Sequence, residues 1–267
     1  LFPLFLAELE TAESLPLRAG IMREMGGSVE RQYASRVAKV AEKTLADAME
    51  DKTQWPARAS ACRLLGASGY TGNLTSIAAC VSDDVPNVRN AAGHALAELA
   101  PYCKDEQKPE VAEALKPLLD KPDDWRKTAI AARATGYYPL AESVEPLALL
   151  LGHSVINVRD SAAHALSQYA ESENEELVSQ VKTATFDEVA ASPASWQYGA
   201  RVLGALEDPE AVPLLIPMLQ KGDWRTQESC SKAVTQIGKA NKLGSKELSD
   251  TLVKVAQSEI VQVQDAA

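Results

Sequence analysis

Apolar and small residues recur along the chain with the spacing of an α-helix, and the same pattern returns many times. In the stretch that begins at Ile156, offsets 2, 6, 10 and 13 carry Val158, Ala162, Leu166 and Tyr169. At about 100° per residue, these positions share one side of a helix. The same frame fits stretches that begin at seven other residues: Leu15, Trp55, Pro86, Trp125, Pro193, Trp224 and Val261.

A second helical pattern lies between successive frames, as in PEVAEALKPLL and SVEPLALLL. Capping residues such as Asp124 and Asp223 stand just before the frames, where they suit the start of a helix. Each repeat is therefore predicted to be two antiparallel helices, with the framed stretch as the second. We predict an all-α fold, a right-handed α-solenoid of stacked antiparallel helix pairs with about seven full repeats and a truncated eighth.

The frames predict one solenoid over residues 1–267, with second helices starting near residues 15, 55, 86, 125, 156, 193, 224 and 261. Their spacing alternates between 31 residues and 37–40 residues, which suggests that the ancestral unit was a pair of repeats. The chain begins at Leu1, and its eighth frame stops at Ala267, partway through a helix. We expect from these two features that the chain is a fragment of a longer protein.

Two of the frames carry a family resemblance. The phrases DDVPNVRNAAGHAL at 83–96 and HSVINVRDSAAHAL at 153–166 resemble the second helix of HEAT repeats, of the short kind found in phycobilisome-lyase-like proteins. At the level of the repeat, the resemblance covers nearly the whole chain. It implies a curved rod whose second helices line the concave face, and it implies no single function.

Composition limits the kinds of partner and the environment that the chain is suited to. The formal net charge is −10, which disfavours nucleic acid as the default ligand because phosphates require clustered Lys and Arg. None of the four cysteines forms a CxxC pair, so the sequence does not predict a disulfide framework or a zinc site built from thiolates. Unpaired cysteines favour a reducing, cytoplasmic compartment. No apolar run reaches the ~18 residues of a membrane span.

One column of basic residues stands out in the frames. Offset 8 points about 200° away from offset 6, which faces the core, so it lies on the open face of the second helix. All seven complete frames carry a basic residue or histidine there: Arg23, Arg63, His94, Arg133, His164, Arg201 and Lys232. Formal charge is also segregated, with +6 in the second-helix frames and −16 elsewhere.

Two interpretations of this basic column stay open. The residues could form a ladder of ion pairs with internal acids such as Glu24, Glu98, Asp160 or Glu228, which would contribute little energy. Alternatively, the column could line a concave groove that attracts an acidic peptide, a phosphorylated segment or another polyanion.

Offset 3 carries a second set of basic residues, Arg18, Arg58, Arg89 and Arg159. This offset lies only about 60° from the core direction. The HEAT resemblance implies that these arginines pack between repeats and bond to a carboxylate in a turn, for which Asp51 and Asp84 are candidates. The four tryptophans lie at or near second-helix starts, where we expect them to pack between repeats.

The sequence contains no GxGxxG, Walker or GxSxG motif, and no histidine is followed by glutamate. No catalytic residue, metal site or cofactor is predicted. We therefore predict a non-enzymatic scaffold that binds a protein or an acidic peptide along the basic column. An enzyme or enzyme subunit like the bilin-lyase HEAT proteins is the alternative, and a nucleic-acid-binding HEAT-like protein is less well supported.

Overall fold

A computed structural model describes residues 2–26 and 29–241, and fourteen α-helices account for most of them. No β-strand occurs in these ranges. The all-α architecture of stacked helix pairs is thereby confirmed. The frame at Val261 and the truncated eighth repeat lie outside the described residues. The chain divides into two compact units, residues 1–138 and 139–267, which we call unit 1 and unit 2.

Unit 1 contains four pairs of helices. In each pair the first helix packs against the second, and the four second helices α2, α4, α6 and α8 pack side by side in sequence order. The bounds are α1 Phe2–Thr11, α2 Leu15–Met25, α3 Ala34–Met49, α4 Trp55–Ser68, α5 Leu74–Ala79, α6 Pro86–Leu99, α7 Lys108–Asp120 and α8 Trp125–Thr135.

Unit 2 repeats this arrangement with three pairs among its described residues. The second helices α10, α12 and α14 again lie side by side, and the first helices α9, α11 and α13 form the other layer. Their bounds are α9 Val144–Leu150, α10 Ile156–Ala170, α11 Glu175–Ala191, α12 Trp196–Ala205, α13 Val212–Lys221 and α14 Trp224–Asn241.

Six second helices begin at the residues where the repeat frames begin, because the frames start just after capping groups. Asp124 Oδ1 accepts a hydrogen bond from the backbone N–H of Arg126 at 2.9 Å, at the start of α8. The exception is the frame at Pro193. There, residues Pro193–Ser195 form a 3₁₀ turn, and α12 begins at Trp196. The hydroxyl of Ser195 donates to the Ser192 carbonyl at 2.7 Å, which holds this turn.

Two pairs of neighbouring second helices, α4–α6 and α12–α14, pack closely at small residues, and the frames of each pair are 31 residues apart. A Cβ added at Gly66 in α4 would lie 2.7 Å from the Cα of Ala95 in α6. A Cβ added at Gly204 in α12 would lie 3.0 Å from the Cα of Ala233 in α14. The same contact thus recurs in both units, since glycine and alanine leave room for two helix backbones to pack directly.

The offset-3 arginines are mostly structural, as the resemblance implied, but the predicted carboxylates were wrong for Arg58. Its Nε donates to the carboxylate of Asp83 at 2.7 Å, and Asp51 supplies only its backbone carbonyl, at 3.0 Å from Nη1. The carboxylate of Asp84 instead faces Lys127 at 3.1 Å. The difference arises because Asp83 is turned inward, where its Oδ1 also accepts the N–H of Val85 at 2.8 Å.

Candidate functional site

Most residues of the basic column lie on the surface, as their offset requires. Six of the seven are exposed, and His164 is half-buried. The exposed fraction of the side chain is 73% for Arg23, 61% for Lys232 and 41% for Arg201. The column therefore belongs to the outer face of the second helices in each unit, and exposure alone does not separate a binding surface from a charge ladder.

Unit 1 places three members of the column around one concavity. A cavity of about 450 Å³ lies on the face formed by α2, α4 and α6. Arg23 from α2, Arg63 from α4 and His94 from α6 line it, together with the carboxamides of Asn87 and Asn90. Each residue comes from the solvent-facing side of its helix, since the offset-6 side is buried in the core.

A second cavity of about 570 Å³ adjoins the first and shares four lining residues with it: Arg23, Ser60, Arg63 and Asn87. It extends toward the N-terminal ends of α2 and α4, where Trp55 lines it with 38% of its surface exposed. We call the two cavities together the basic groove. Its principal side chains are Arg23, Trp55, Arg63, Asn87, Asn90 and His94.

The cations of the basic groove are weakly engaged by the protein itself. Arg23 Nε lies 3.5 Å from the carboxylate of its sequence neighbour Glu24, and both side chains are more than 60% exposed. Arg63 makes no ion pair with another residue of the described ranges. Glu98 is the one acid among the residues that line the groove. An exposed pair such as Arg23–Glu24 is worth little, so an incoming anion can replace it.

In unit 2, two members of the basic column form ion pairs with acids of the same unit. Arg201 Nη1 donates to the carboxylate of Asp160 at 2.6 Å, and Lys232 Nζ donates to Glu228 at 2.6 Å. The guanidinium of Arg201 also lies 5.7 Å from the ring centroid of Tyr198. These contacts match the ladder interpretation, because the acids named from the sequence are the partners found. In unit 1 the predicted acid Glu98 pairs with no described cation.

Several groove residues were not singled out from the sequence. Asn87 and Asn90 are ordinary polar residues of a helix surface, and nothing in one sequence distinguishes them from other exposed positions. Their offsets of 1 and 4 place them beside offset 8 on the outer face, which is the signal that could have found them. Ser60 is buried beside the groove, and its offset of 5 gives no such signal.

The tryptophans of the two units differ in their surroundings. The indole Nε1 of Trp196 donates to the carbonyl of Val189 at 3.0 Å, and its ring packs on the core of unit 2. Trp224 packs on the same core. Trp55, by contrast, presents part of its ring to the basic groove.

The described ranges contain few features of a metal, thiol or membrane site. No group of three or more His, Cys, Asp or Glu residues in 2–26 and 29–241 is placed to hold a metal ion. Cys62, Cys80 and Cys230 are buried, and no disulfide joins the four cysteines. Burial raises the pKa of the Cys230 thiol, so this side chain behaves as a small apolar group. No helix of the described part is long and apolar enough to span a bilayer.

Comparison with known proteins finds a family similarity in part of these stacked pairs. The family model described as HEAT repeats matches residues 42–134, which span α4, α5, α6 and α7, half of α3 and most of α8 in unit 1. Residues 42–134 are therefore similar to HEAT repeats, and this sequence match lies in the unit that contains the basic groove. No curated protein matches the sequence significantly.

Solved structures show the same fold at low sequence identity. An engineered protein superposes with a TM-score of 0.54 at 20% identity, covering 98% of this chain and 75% of the other. Kap121p bound to Nup53p superposes with a TM-score of 0.55 at 12% identity, covering 99% of this chain. The chain spans only 32% of Kap121p, so this likeness concerns the fold alone.

Proposed function

We propose that this protein is a non-enzymatic scaffold that binds an acidic segment of a partner protein in the basic groove of unit 1. The observation that carries the proposal is the convergence of Arg23, Arg63 and His94, from three successive second helices, on one concavity. Such a groove is complementary to a chain that bears carboxylates at intervals, and complementary charge also speeds the encounter.

The polar and aromatic lining supports a peptide as the ligand. The carboxamides of Asn87 and Asn90 each offer both a donor and an acceptor, so they can pair with the N–H and C=O groups of an extended backbone. Trp55 offers an aromatic surface at one end of the groove, and tryptophan is enriched among residues that dominate interface energies. The structure of Kap121p bound to Nup53p provides an example of a protein ligand on a related fold.

We propose that the basic column binds a ligand only where its residues do not already pair with acids of the protein itself. Arg201 and Lys232 in unit 2 hold internal acids at 2.6 Å, and an incoming carboxylate would have to displace these. Arg133 and His164, the other two members of the basic column, are candidate contributors to binding.

The test is a binding titration with a fluorescein-labelled peptide of glycine, serine and regularly spaced glutamates, followed by fluorescence anisotropy. The variant Arg23→Glu/Arg63→Glu should weaken binding by about tenfold or more, since each charged contact is worth on the order of 1.5–3 kcal/mol. The matched control is Lys39→Glu/Lys43→Glu, which makes the same change of charge at exposed positions of α3, on the first-helix side of unit 1.

The control should bind nearly as well as the parent protein, and the circular dichroism spectra of all three proteins should agree. Binding should also weaken as salt is raised. Equal losses in the two double variants would refute the groove, because they would show attraction to overall charge only. A DNA oligonucleotide that binds more tightly than the peptide would instead support a nucleic-acid ligand.

A further inference from the structure

A groove of about 590 Å³ lies between α9 and α11, on the first-helix side of unit 2. Small side chains create it, because Ala148 of α9 and Ala184 of α11 leave the space between the two helices open. Leu149 borders this space with 63% of its surface exposed. The groove therefore has an apolar surface formed by Ala148, Leu149 and Ala184.

The polar lining of this groove has one sign of charge. Glu145, Asp187 and Glu188 border it, and no basic residue of the described part of the chain lines it. Lys182 of α11 does not neutralise them, because its ammonium lies 2.7 Å from Asp208 and 2.5 Å from Glu210 and is held toward α13. The rim therefore keeps a local excess of negative charge.

Glu188 is the acid in this set that is partly withdrawn from water. A Cβ added at Gly152 would lie 2.9 Å from Glu188 Oε1, so the carboxylate of Glu188 occupies space that is free because residue 152 is glycine. No residue of the described ranges donates a hydrogen bond to this carboxylate. Burial raises its pKa above the ordinary value. A desolvated carboxylate without a donor gains more from an incoming cation than a hydrated one does.

We propose that the α9–α11 groove docks a basic amphipathic helix of a partner protein, with an aliphatic residue against Ala148, Leu149 and Ala184 and with Lys or Arg against the three carboxylates. A helix fits because the backbone groups of α9 and α11 are bonded within their own helices, so no edge is available to an extended strand. An apolar wall beside a charged rim matches a helix with apolar and basic faces.

This surface differs from the basic groove in both place and chemistry. It is built from first helices of unit 2, whereas the basic groove is built from second helices of unit 1. It selects a cationic ligand and the basic groove an anionic one. The inference therefore does not depend on the proposed function, and either can fail alone.

The experiment uses the full chain and three labelled synthetic peptides. The first carries leucine on one helical face and lysine on its flanks, the second replaces each lysine by glutamate, and the third contains the residues of the first in scrambled order. We expect the lysine peptide to bind, and the glutamate peptide to bind at least about tenfold more weakly. The scrambled peptide should also bind more weakly, because it lacks an apolar face.

Variants then locate the bound peptide. Asp187→Asn/Glu188→Gln should weaken the lysine peptide by about tenfold, and Leu149→Ser should weaken it without unfolding an already exposed position. Glu171→Gln/Glu173→Gln is the matched control, since it removes two exposed carboxylates that do not line the groove.

Three results would overturn the inference: no binding of the lysine peptide, equal binding of the scrambled peptide, or equal losses in the test and control double variants. The first would leave the groove without its ligand. The second and third would show a general attraction of a cationic peptide to an acidic protein. Thermal melting curves of each variant establish that the fold is intact.

Discussion

Arg58 and Asp83 form an ion pair in the interior of unit 1. The distance from Nε to Oδ2 is 2.7 Å, and the two side chains are 5% and 9% exposed. Arg58 Nη1 also donates to the carbonyls of Ala48 and Asp51, at 3.1 and 3.0 Å. One side chain thereby joins the end of α3, the turn before α4 and the turn before α6.

Arg58→Ala is expected to destabilise the protein by about 3 kcal/mol or more, because it leaves Asp83 buried without its cation and several carbonyls without a donor. Urea unfolding of unit 1 would measure this. Arg63→Ala, five residues further along α4 on its exposed face, should change the free energy of unfolding by less than about 0.5 kcal/mol. Similar losses in the two variants would contradict the structural role of Arg58.

His153 of unit 2 takes the place that Asp83 has in unit 1. Its Nδ1 accepts the N–H of Val155 at 3.0 Å, as Asp83 Oδ1 accepts the N–H of Val85 at 2.8 Å. His153→Ala should cost about 1 kcal/mol, since it removes this acceptor. His153→Asp should keep most of the stability, and thermal melts of the two variants would show whether it does. A melt of His153→Ala that equals the parent would refute a capping role.

Close helix packing makes Gly204 sensitive to a single methyl group. Gly204→Ala should destabilise unit 2 by about 1–3 kcal/mol, because the new Cβ would lie 3.0 Å from the Cα of Ala233, where backbone has to move. Gly238→Ala is the matched control, because a Cβ there meets nothing within 4 Å. The control should raise stability by up to about 1 kcal/mol, through helix propensity alone. The same sign for both changes would disprove the packing argument.

Asp223 caps α14, and its contribution to the stability of the fold depends on pH. The backbone N–H of Thr226 donates to Asp223 Oδ1 at 2.9 Å, and this hydrogen bond lowers the pKa of the Asp223 carboxyl. A lowered pKa in the folded state stabilises the protein above the unfolded pKa of about 3.9, and the effect is lost as pH falls through the folded value.

Asp223→Ala should therefore cost about 1 kcal/mol at pH 7, and the difference from the parent protein should shrink as pH falls below about 4. Asp223→Asn keeps a neutral capping oxygen and should lose little at pH 7. Denaturant titrations at several pH values would measure both. A loss in Asp223→Ala that stays constant down to pH 2 would refute the linkage.

The repeat frame is the part of the fold that could be predicted in most detail. Helix starts such as Trp55 and Ile156 follow from a local periodicity and a preceding cap, and both signals depend on only a few neighbouring residues. The start at Pro193 was missed by one turn, because a 3₁₀ turn and an α-helix satisfy the same apolar spacing over three residues. The organisation as a single solenoid over the whole chain stays a prediction.

The candidate site could be predicted only in part. Offset 8 located the exposed column, and its position on the outer face follows from helical geometry. The sequence did not show that Arg63 stays without an ion-pair partner in the described ranges while Arg201 meets Asp160, because Arg201 and Asp160 come from different helices. It also did not indicate the α9–α11 groove, which depends on two alanines that meet across a helix interface.

The sequence by itself determined that this protein is built from repeated helix pairs, where most second helices begin, and which residues face water. These properties depend on periodicity and capping, which act over one or two turns of chain. Only the tertiary structure decided which charges pair, that Asp83 and not Asp84 receives Arg58, and where the surface opens into grooves. Those outcomes depend on distances of a few ångströms between side chains far apart in sequence, and packing alone sets these distances.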